Sequence, residues 1–425
     1  MDVSFPPPNF HEVPSNVSGI EVYAPIPEQT SPQQAVVEFT CPQCGATTVY
    51  SVEDGGLKCS HCGYYSPPER KTTGAQASEL EFTVETMQDM EHGWGEARKD
   101  MECMTCGAIT SISEQSLTHT CPFCGSNHVI QKTASQDVLR PRYLIPFQIE
   151  AQKCLSIAQE WMGSRWMTPK SLKRVADQAL FSGVFLPYWT FDTTATASWR
   201  AEVGHTETER YFQDGEWKTR TVIRWRWESG KVNEKFDDLL VPGTNRLSSL
   251  LLNKIKAFQM GQLRPYEAGF LAGFQALSYD RPLDNSWEIA RQQMREHTRL
   301  ACRKQASTPR IRNFSMKLDF GNESWRYILL PIYLAGYRYA NQNFQVIING
   351  QSGQIAGQRP VDWKKVWLVV GALLTPGLLL ALIGAITLLL GGVGALIGGV
   401  GFVLLLIGVV ISVVILRQAT SMDDI

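Results

Sequence analysis

Residues 366–416 run for 51 positions without one charged side chain. Inside lipid every backbone N–H and C=O must be satisfied within the segment, so such a stretch has to be helical. A helix of that length measures about 77 Å, against a hydrocarbon core of about 30 Å. That suffices for two crossings and a turn, and falls short of three. The turn is expected at Gly391-Gly392-Val393-Gly394, with one helix over 366–390 and another over 395–416. Lys364-Lys365 precede the span and Arg417 follows it. Basic residues on both flanks predict a multi-pass protein of the inner (cytoplasmic) membrane with both termini, including a tail at 417–425, in the cytoplasm.

Glycines recur every seven residues at 377, 384, 391 and 398, and again at 394, 401 and 408. This spacing stacks small residues on one helix face and allows close helix approach in lipid. Packing within the hairpin is the first reading, and homo-oligomerisation through the same faces is the second. No Asp, Glu, Lys, Arg or His lies in the span, so an ion or proton path has no carrier there.

At the other end of the chain the cysteines form a repeat. Cys41, Cys44, Cys59 and Cys62 read C-x2-C-x14-C-x2-C, and Cys103, Cys106, Cys121 and Cys124 repeat that pattern. A glycine follows each pair, at 45, 63, 107 and 125. Two such turns on successive hairpins aim four thiolates at one metal, the pattern of a zinc ribbon with a closed S4 shell. Two structural Zn2+ ions per chain are expected. Iron in the same shell, or two disulfides per cluster, are the alternatives. The opening MDVSFPPPNF has no basic region leading into an apolar stretch, so no secretory signal is expected and the thiols should stay reduced. His61, His119 and His128 lie near the clusters and read as solvated loop residues, since four sulfurs already close each shell.

These motifs divide the chain. Residues 1–36 hold seven prolines and read as an unstructured tail. The first ribbon is placed at 37–66, a linker with a short strand at 67–100, and the second ribbon at 101–132. Residues 139–360 mix helical and alternating patterns and predict an α+β domain with an antiparallel sheet. Asp214-Gly215 separates two alternating runs, 194–212 and 217–227, and marks a hairpin. A second hairpin is expected at 345–355, turning around Asn349-Gly350. Helices are expected near 169–181 and 285–304. Ile145-Pro146-Phe147, Leu186-Pro187-Tyr188-Trp189 and Leu330-Pro331-Ile332-Tyr333 share a pattern that hints at duplicated halves. Cys154 and Cys302 sit in apolar helical patterns and read as core residues. Arg224-Trp225-Arg226-Trp227 on a strand puts both tryptophans on one face, the reading of an ordinary half-buried strand.

The CPxCG-type knuckles, LPYWTFD at 186–192, INGQSGQIAGQRP at 348–360 and the terminal apolar pair resemble a group of bacterial membrane proteins. These are described as TFIIB-type zinc-ribbon proteins or as primosomal protein N′-like. The resemblance covers most of residues 38–416. It implies two N-terminal ribbons, a C-terminal transmembrane pair and partners among phage-shock or flotillin-like membrane proteins. It implies no helicase activity, because Gly230-Lys231-Val232 lacks the Ser/Thr and the upstream glycine of a P-loop.

Charge separates the functional readings. Residues 1–135 carry 17 acidic and six basic side chains, a net −11, and residues 136–360 carry a net +10. A ribbon that binds DNA should be basic, because phosphate neutralisation supplies most of the affinity. Each ionised Zn(Cys)4 shell adds two further negative charges to the acidic end. The expectation is a non-enzymatic, membrane-anchored scaffold whose ribbons contact proteins. A membrane-tethered nucleic-acid-binding protein is the alternative, resting on the basic middle.

Overall fold

The computed structural model of the 425-residue chain describes residues 10–13, 22–25, 39–67, 77, 79–81, 91–95, 98–113, 120–124, 126–133, 138–169, 171–172, 181–339, 342–389 and 394–423. The multidomain plan holds: two small four-cysteine β units, a sheet-rich α+β body and a C-terminal pair of apolar helices. The expected tail is not structureless throughout. Strand β1 (Phe10–Val13) pairs antiparallel with β2 (Val22–Pro25). Both segments carry the β-branched and aromatic residues that favour strands, with Val13 opposite Val22. The other residues of 1–36, up to 38, lie outside the described residues.

The first cysteine unit contains β3 (Thr48–Ser51), β4 (Gly56–Cys59) and β5 (Tyr65–Ser66), an antiparallel sheet of its own. The linker supplies β6 (Leu80–Glu81). The second unit contains β7 (Arg98–Cys103), β8 (Ile109–Ser113) and β9 (Val129–Thr133). The body continues with β10 (Tyr143–Leu144), α1 (Ala151–Gly163), β11 (Ser182–Gln213), β12 (Glu216–Pro242) and α2 (Ser249–Lys254). It closes with β13 (Arg264–Pro265), β14 (Gln275–Ala276), α3 (Leu283–Gln305), β15 (Ile311–Tyr339), β16 (Gln342–Asn349) and β17 (Ile355–Gly357).

Three strands dominate. The strands β11, β12 and β15 contain 32, 27 and 29 residues, and β11 pairs antiparallel with both others. At about 3.3 Å per residue, β11 has a contour of about 105 Å. Asp214 and Gly215 have φ of 54° and 82°, the positive values a two-residue type I′ hairpin turn needs. Strand β15 begins opposite Val203, so the last part of the β11–β12 hairpin runs on as a two-stranded ribbon. We call the three-stranded unit the blade. Most other pairings are antiparallel; β10 with β15 and β11 with β14 are short parallel contacts.

The three aliphatic–proline segments converge in the sheet. Leu186 is opposite Leu330, and the Ile145 N–H donates to the Leu329 carbonyl at 3.1 Å. Leu186, Ile145 and Leu330 are fully buried in one core cluster. Helix α3 buries Trp287, Ala290, Met294, Thr298 and Cys302, a three-to-four-residue spacing that lays one face on the blade. Beneath it lie Trp189, Phe191 and Trp325, then Ala197, Trp199 and Ala201. Burying each large apolar side chain is worth about 1.5–3 kcal/mol. Asp284 in the first turn and Arg303 and Lys304 in the last match the helix dipole. Cys154 and Cys302 are both buried.

Two expectations change. The second hairpin turns through four residues, 350–353, because the Asn349 N–H bonds Gln354 O and Gly353, not Gly350, takes the positive φ. In the Arg-Trp run the two faces do separate, but the tryptophan face is not packed into a core, and Trp227 is 51% exposed. Among the described residues no helix or sheet covers this part of the blade; arginines do. Arg312 stacks 4.2 Å over Trp225 and Arg200 4.4 Å over Trp227. On the other face Arg224 pairs with Glu207 at 2.9 Å. The helix expected near 169–181 falls mostly on 173–180, outside the described residues.

The apolar run forms α4 (Trp363–Leu389) and α5 (Gly394–Asp423), each long and apolar enough to cross a membrane. Residues 390–393, where the turn was placed, lie outside the described residues. The tail expected at 417–425 is helical as far as Asp423, since nothing in Gln-Ala-Thr-Ser breaks a helix. The glycines face the partner helix. A Cβ on Gly384 would stand 2.4 Å from Gly398 N, and one on Gly401 would stand 2.4 Å from Ala381 N. The hairpin's base is held to the body. Val366 and Ala419 pack with Met167, the Asp362 N–H donates to Met167 O at 2.8 Å, and Lys365 Nζ to Thr168 O at 2.7 Å. Body, start of α4 and end of α5 therefore lie together at one end of the hairpin.

Candidate metal centres

Each cysteine pair sits on the same backbone turn. Gly45, Gly63 and Gly107 have φ of 72°, 76° and 69°, and their N–H groups donate to the carbonyls of Cys41, Cys59 and Cys103 at 2.8, 3.0 and 2.8 Å. The first cysteine's N–H is also bonded in every pair: Cys41 to Ala46 O, Cys59 to Tyr64 O, Cys103 to Ala108 O and Cys121 to Ser126 O, at 2.6–2.9 Å. A side chain at the knuckle glycine would be strained, because L residues rarely adopt that φ. Gly125, the fourth, lies outside the described residues.

The sequence-predicted residues come together in two sets of four. Within each set the sulfurs all lie within 4.8 Å of one another. Cross-pair separations are 3.4 Å for Cys41–Cys62, 3.6 Å for Cys44–Cys59, 3.6 Å for Cys103–Cys124 and 3.7 Å for Cys106–Cys121. A tetrahedron with metal–sulfur bonds of about 2.3 Å has edges of about 3.8 Å. A disulfide needs about 2.05 Å. The sulfurs stand at the spacing of a shared ion, and all eight cysteines are free of disulfides. His61 and His128 are exposed and belong to neither set; His119 lies outside the described residues.

Electrostatics favours a cation. The N–H of Cys62 lowers the Cys59 thiol, burial raises it, and the N–H of His61 lowers it further, which leaves it at about 6. For Cys103, burial raises the thiol, and the N–H groups of Cys106 and Thr105 outweigh it and hold it at about 7. One thiolate in each set is thus ready at neutral pH, and metal binding would release the remaining protons.

The two centres are built into the protein differently. Cys41 and Cys59 are buried, Cys59 at the end of a strand in a separate sheet, and this unit reaches the body through Tyr50, Val52 and Leu57. The Tyr50 N–H donates to Ala272 O at 3.0 Å and its ring lies 5.3 Å from that of Phe270. The second centre is part of the body. Strand β8 pairs with β14, Ser111 opposite Ala276, and so joins the large sheet. Cys103, Cys121 and Phe123 belong to the main core cluster, and Gln345 Nε2 donates to Phe123 O at 2.8 Å. Arg98 is buried and donates to Ser111 O at 2.7 Å and Phe274 O at 3.2 Å. Cysteine spacing alone treats the two units as equal. The apolar Phe123 inside the fourth knuckle, where the first unit has His61, is the signal that separates them.

The chain is 23% identical over 335 residues to "Uncharacterized protein YdjG" of Bacillus subtilis (strain 168), a match spanning 78% of this chain and 92% of that protein. No family model and no solved structure matches.

Proposed function

We propose that this chain is a non-enzymatic scaffold anchored by its helical hairpin, with a structural Zn2+ in each four-cysteine centre. The tetrahedral sulfur spacing supports zinc, and four sulfurs leave no open position for catalysis at the metal. Elemental analysis of freshly purified protein is expected to give two zinc per chain, one for each set of cysteines. A metal content near zero, or iron in its place, would overturn that assignment.

The observation that carries the scaffold reading is the blade. A two-stranded ribbon extends past the start of β15 and ends in Phe212 and Trp217, opposite each other, 61% and 72% exposed, with rings 5.4 Å apart. Large aromatics held on a rigid hairpin cost little entropy to bury and are frequent anchors of protein contacts. The hairpin's basic flanks support a placement of body, ribbons and both termini in the cytoplasm, at the inner membrane. Phage-shock and flotillin-like membrane proteins are the partners that the family resemblance suggests. The acidic ribbons disfavour nucleic acid.

In-cell photo-crosslinking from position 217 tests this. The full chain is expected to give protein adducts that drop more than tenfold when residues 206–223 are deleted, the turn re-closed and the crosslinker moved to the shortened tip. The deleted chain should remain in membranes with two zinc. Adducts that persist at the same level from a crosslinker placed at the shortened tip would remove the blade from the function. Duplex DNA added to the full detergent-solubilised chain at physiological salt should bind no more tightly than the about 10⁻⁴–10⁻⁶ M of non-specific contacts.

A further inference from the structure

At the root of the blade the three long strands lose register together. Between β11 and β12 the pairing slips at Phe191/Thr193, so that Asp237 and Asp238 stand opposite Asp192. Between β11 and β15 it slips at Asp192/Thr194, leaving Asn322 and Glu323 opposite Thr193. Asp238 and Asn322 take φ of 54° and 55° at these bulges. Bulges re-aim side chains. Here they bring carboxylates from two strands to one point, and the inter-ribbon linker adds Glu79, next to β6.

Carboxylate oxygens of Glu79, Asp192 and Asp237 all lie within 4.8 Å of one another. A single ion with oxygen ligands at about 2.3–2.6 Å can touch all three. Asp192 is 6% exposed. Its Oδ1 accepts the Asp238 N–H at 2.6 Å, but its buried Oδ2 has no hydrogen-bond donor. Among the described residues the cation paired with it is Arg326, which stands 3.5 Å from that oxygen and is shared with Glu79 at 3.6 Å and with Asp238. One guanidinium is thus shared among three carboxylates, with Asp237 beside two of them. A cleft of about 730 Å³ opens beside the cluster, lined by Glu79, Glu81 and Glu323, which deepens the negative field. Burial pushes the Asp192 carboxyl up to about 7, a rise that the Asp238 N–H and Arg326 do not cancel.

We propose that Glu79, Asp192 and Asp237 bind a divalent cation of the hard, oxygen-seeking class, Ca2+ above all, which clips the inter-ribbon linker to the root of the blade. An all-carboxylate set excludes thiophilic ions in favour of Ca2+, Mg2+ or Mn2+. Irregular, partly exposed ligands from two strands and a linker suit the flexible shell of Ca2+ better than the strict octahedron of Mg2+. The clip would fix the linker strand β6, whose Leu80 pairs with Trp325 and Glu81 with Ser324. It would thereby set where the chain between the two metal centres runs.

Terbium luminescence tests the site in the full, zinc-loaded chain in detergent, with Trp325 near enough to sensitise the ion. Saturable emission at one equivalent is expected, displaced by Ca2+ with a Kd no weaker than about 1 mM. Mg2+ should displace it at least tenfold less well. Asp237→Asn and Glu79→Gln, both at exposed positions, should each weaken binding at least tenfold, and Glu209→Gln on the distal hairpin should not. Ca2+ should also raise the unfolding temperature of the parent chain and leave that of Asp237→Asn unmoved. No saturable binding up to several millimolar Ca2+, or binding that both variants retain, would overturn the proposal.

Discussion

Cys103→Ser is expected to remove one zinc and to loosen the soluble body with it, whereas Cys41→Ser should remove one zinc and leave the body intact. Structural zinc supplies about 10–16 kcal/mol to the folding of an isolated finger, as much as the whole stability of an ordinary domain. The first unit can forfeit that within its own three strands, because its sulfurs belong to no cluster of the body's core and its docking runs through Tyr50, Val52 and Leu57. The second has no such boundary. Cys103, Cys121 and Phe123 are packed with Leu186, Leu330 and Ile347, and β8 is hydrogen-bonded into the large sheet. Near-UV circular dichroism of the buried Trp189 and Trp325, which pack in a different core cluster from Cys103 and Cys121, reports on the body. Its thermal midpoint is expected to fall by at least about 5 °C in Cys103→Ser, roughly 2 kcal/mol for a body of this size. In Cys41→Ser it should stay within about 2 °C. Equal falls would mean that the two units are equally independent of the body, or equally part of it.

That asymmetry shows what was legible in the sequence. Cysteine spacing identified all eight sulfurs, because a ligand set is local: two residues per knuckle and one hairpin between knuckles. The uncharged run identified both helices, because lipid leaves a chain no other choice. Asp214-Gly215 identified the turn of the blade, since few dipeptides tolerate two positive φ values in succession. The strands around it were harder to bound. Alternation marks a strand only where one face is buried, and much of the distal blade exposes both, with Trp225 and Trp227 covered by arginines instead of a core. The carboxylate cluster at the blade's root was not legible at all. Glu79, Asp192 and Asp237 are separated by 113 and 45 positions and meet only because two bulges coincide across three strands. LPYWTFD ends on Asp192, yet nothing in that run distinguishes a buried acid from a strand's polar face.

Gly384→Leu and Gly401→Leu are expected to force the membrane hairpin apart, and Gly399→Leu to leave it unchanged. A Cβ at 384 would meet Gly398 N at 2.4 Å and Gly398 Cα at 2.5 Å; at 401 it would meet Ala381 N at 2.4 Å. These are backbone atoms, which cannot rotate aside as a side chain would. Overpacking a fitted core costs about 1–3 kcal/mol where neighbours can shift, and more where they cannot. At 399 nothing lies within 4 Å of the same atom, so the leucine would enter lipid. Pulsed-EPR distances between labels at Trp367→Cys and Val414→Cys, both exposed, should broaden and lengthen in the first two variants only. The same series decides how the glycines relate to self-association. A Cβ on Gly377, Gly384, Gly394, Gly401 or Gly408 would stand 2.3–2.9 Å from the other helix of the same chain, so a second copy cannot occupy that face without opening the hairpin. Self-association that survives in Gly384→Leu while the intramolecular distance broadens would assign these faces to a neighbouring chain. Loss of both, or an unchanged monomer with a broadened distance, assigns them to the hairpin, where they hold the anchor's two ends together beneath the body.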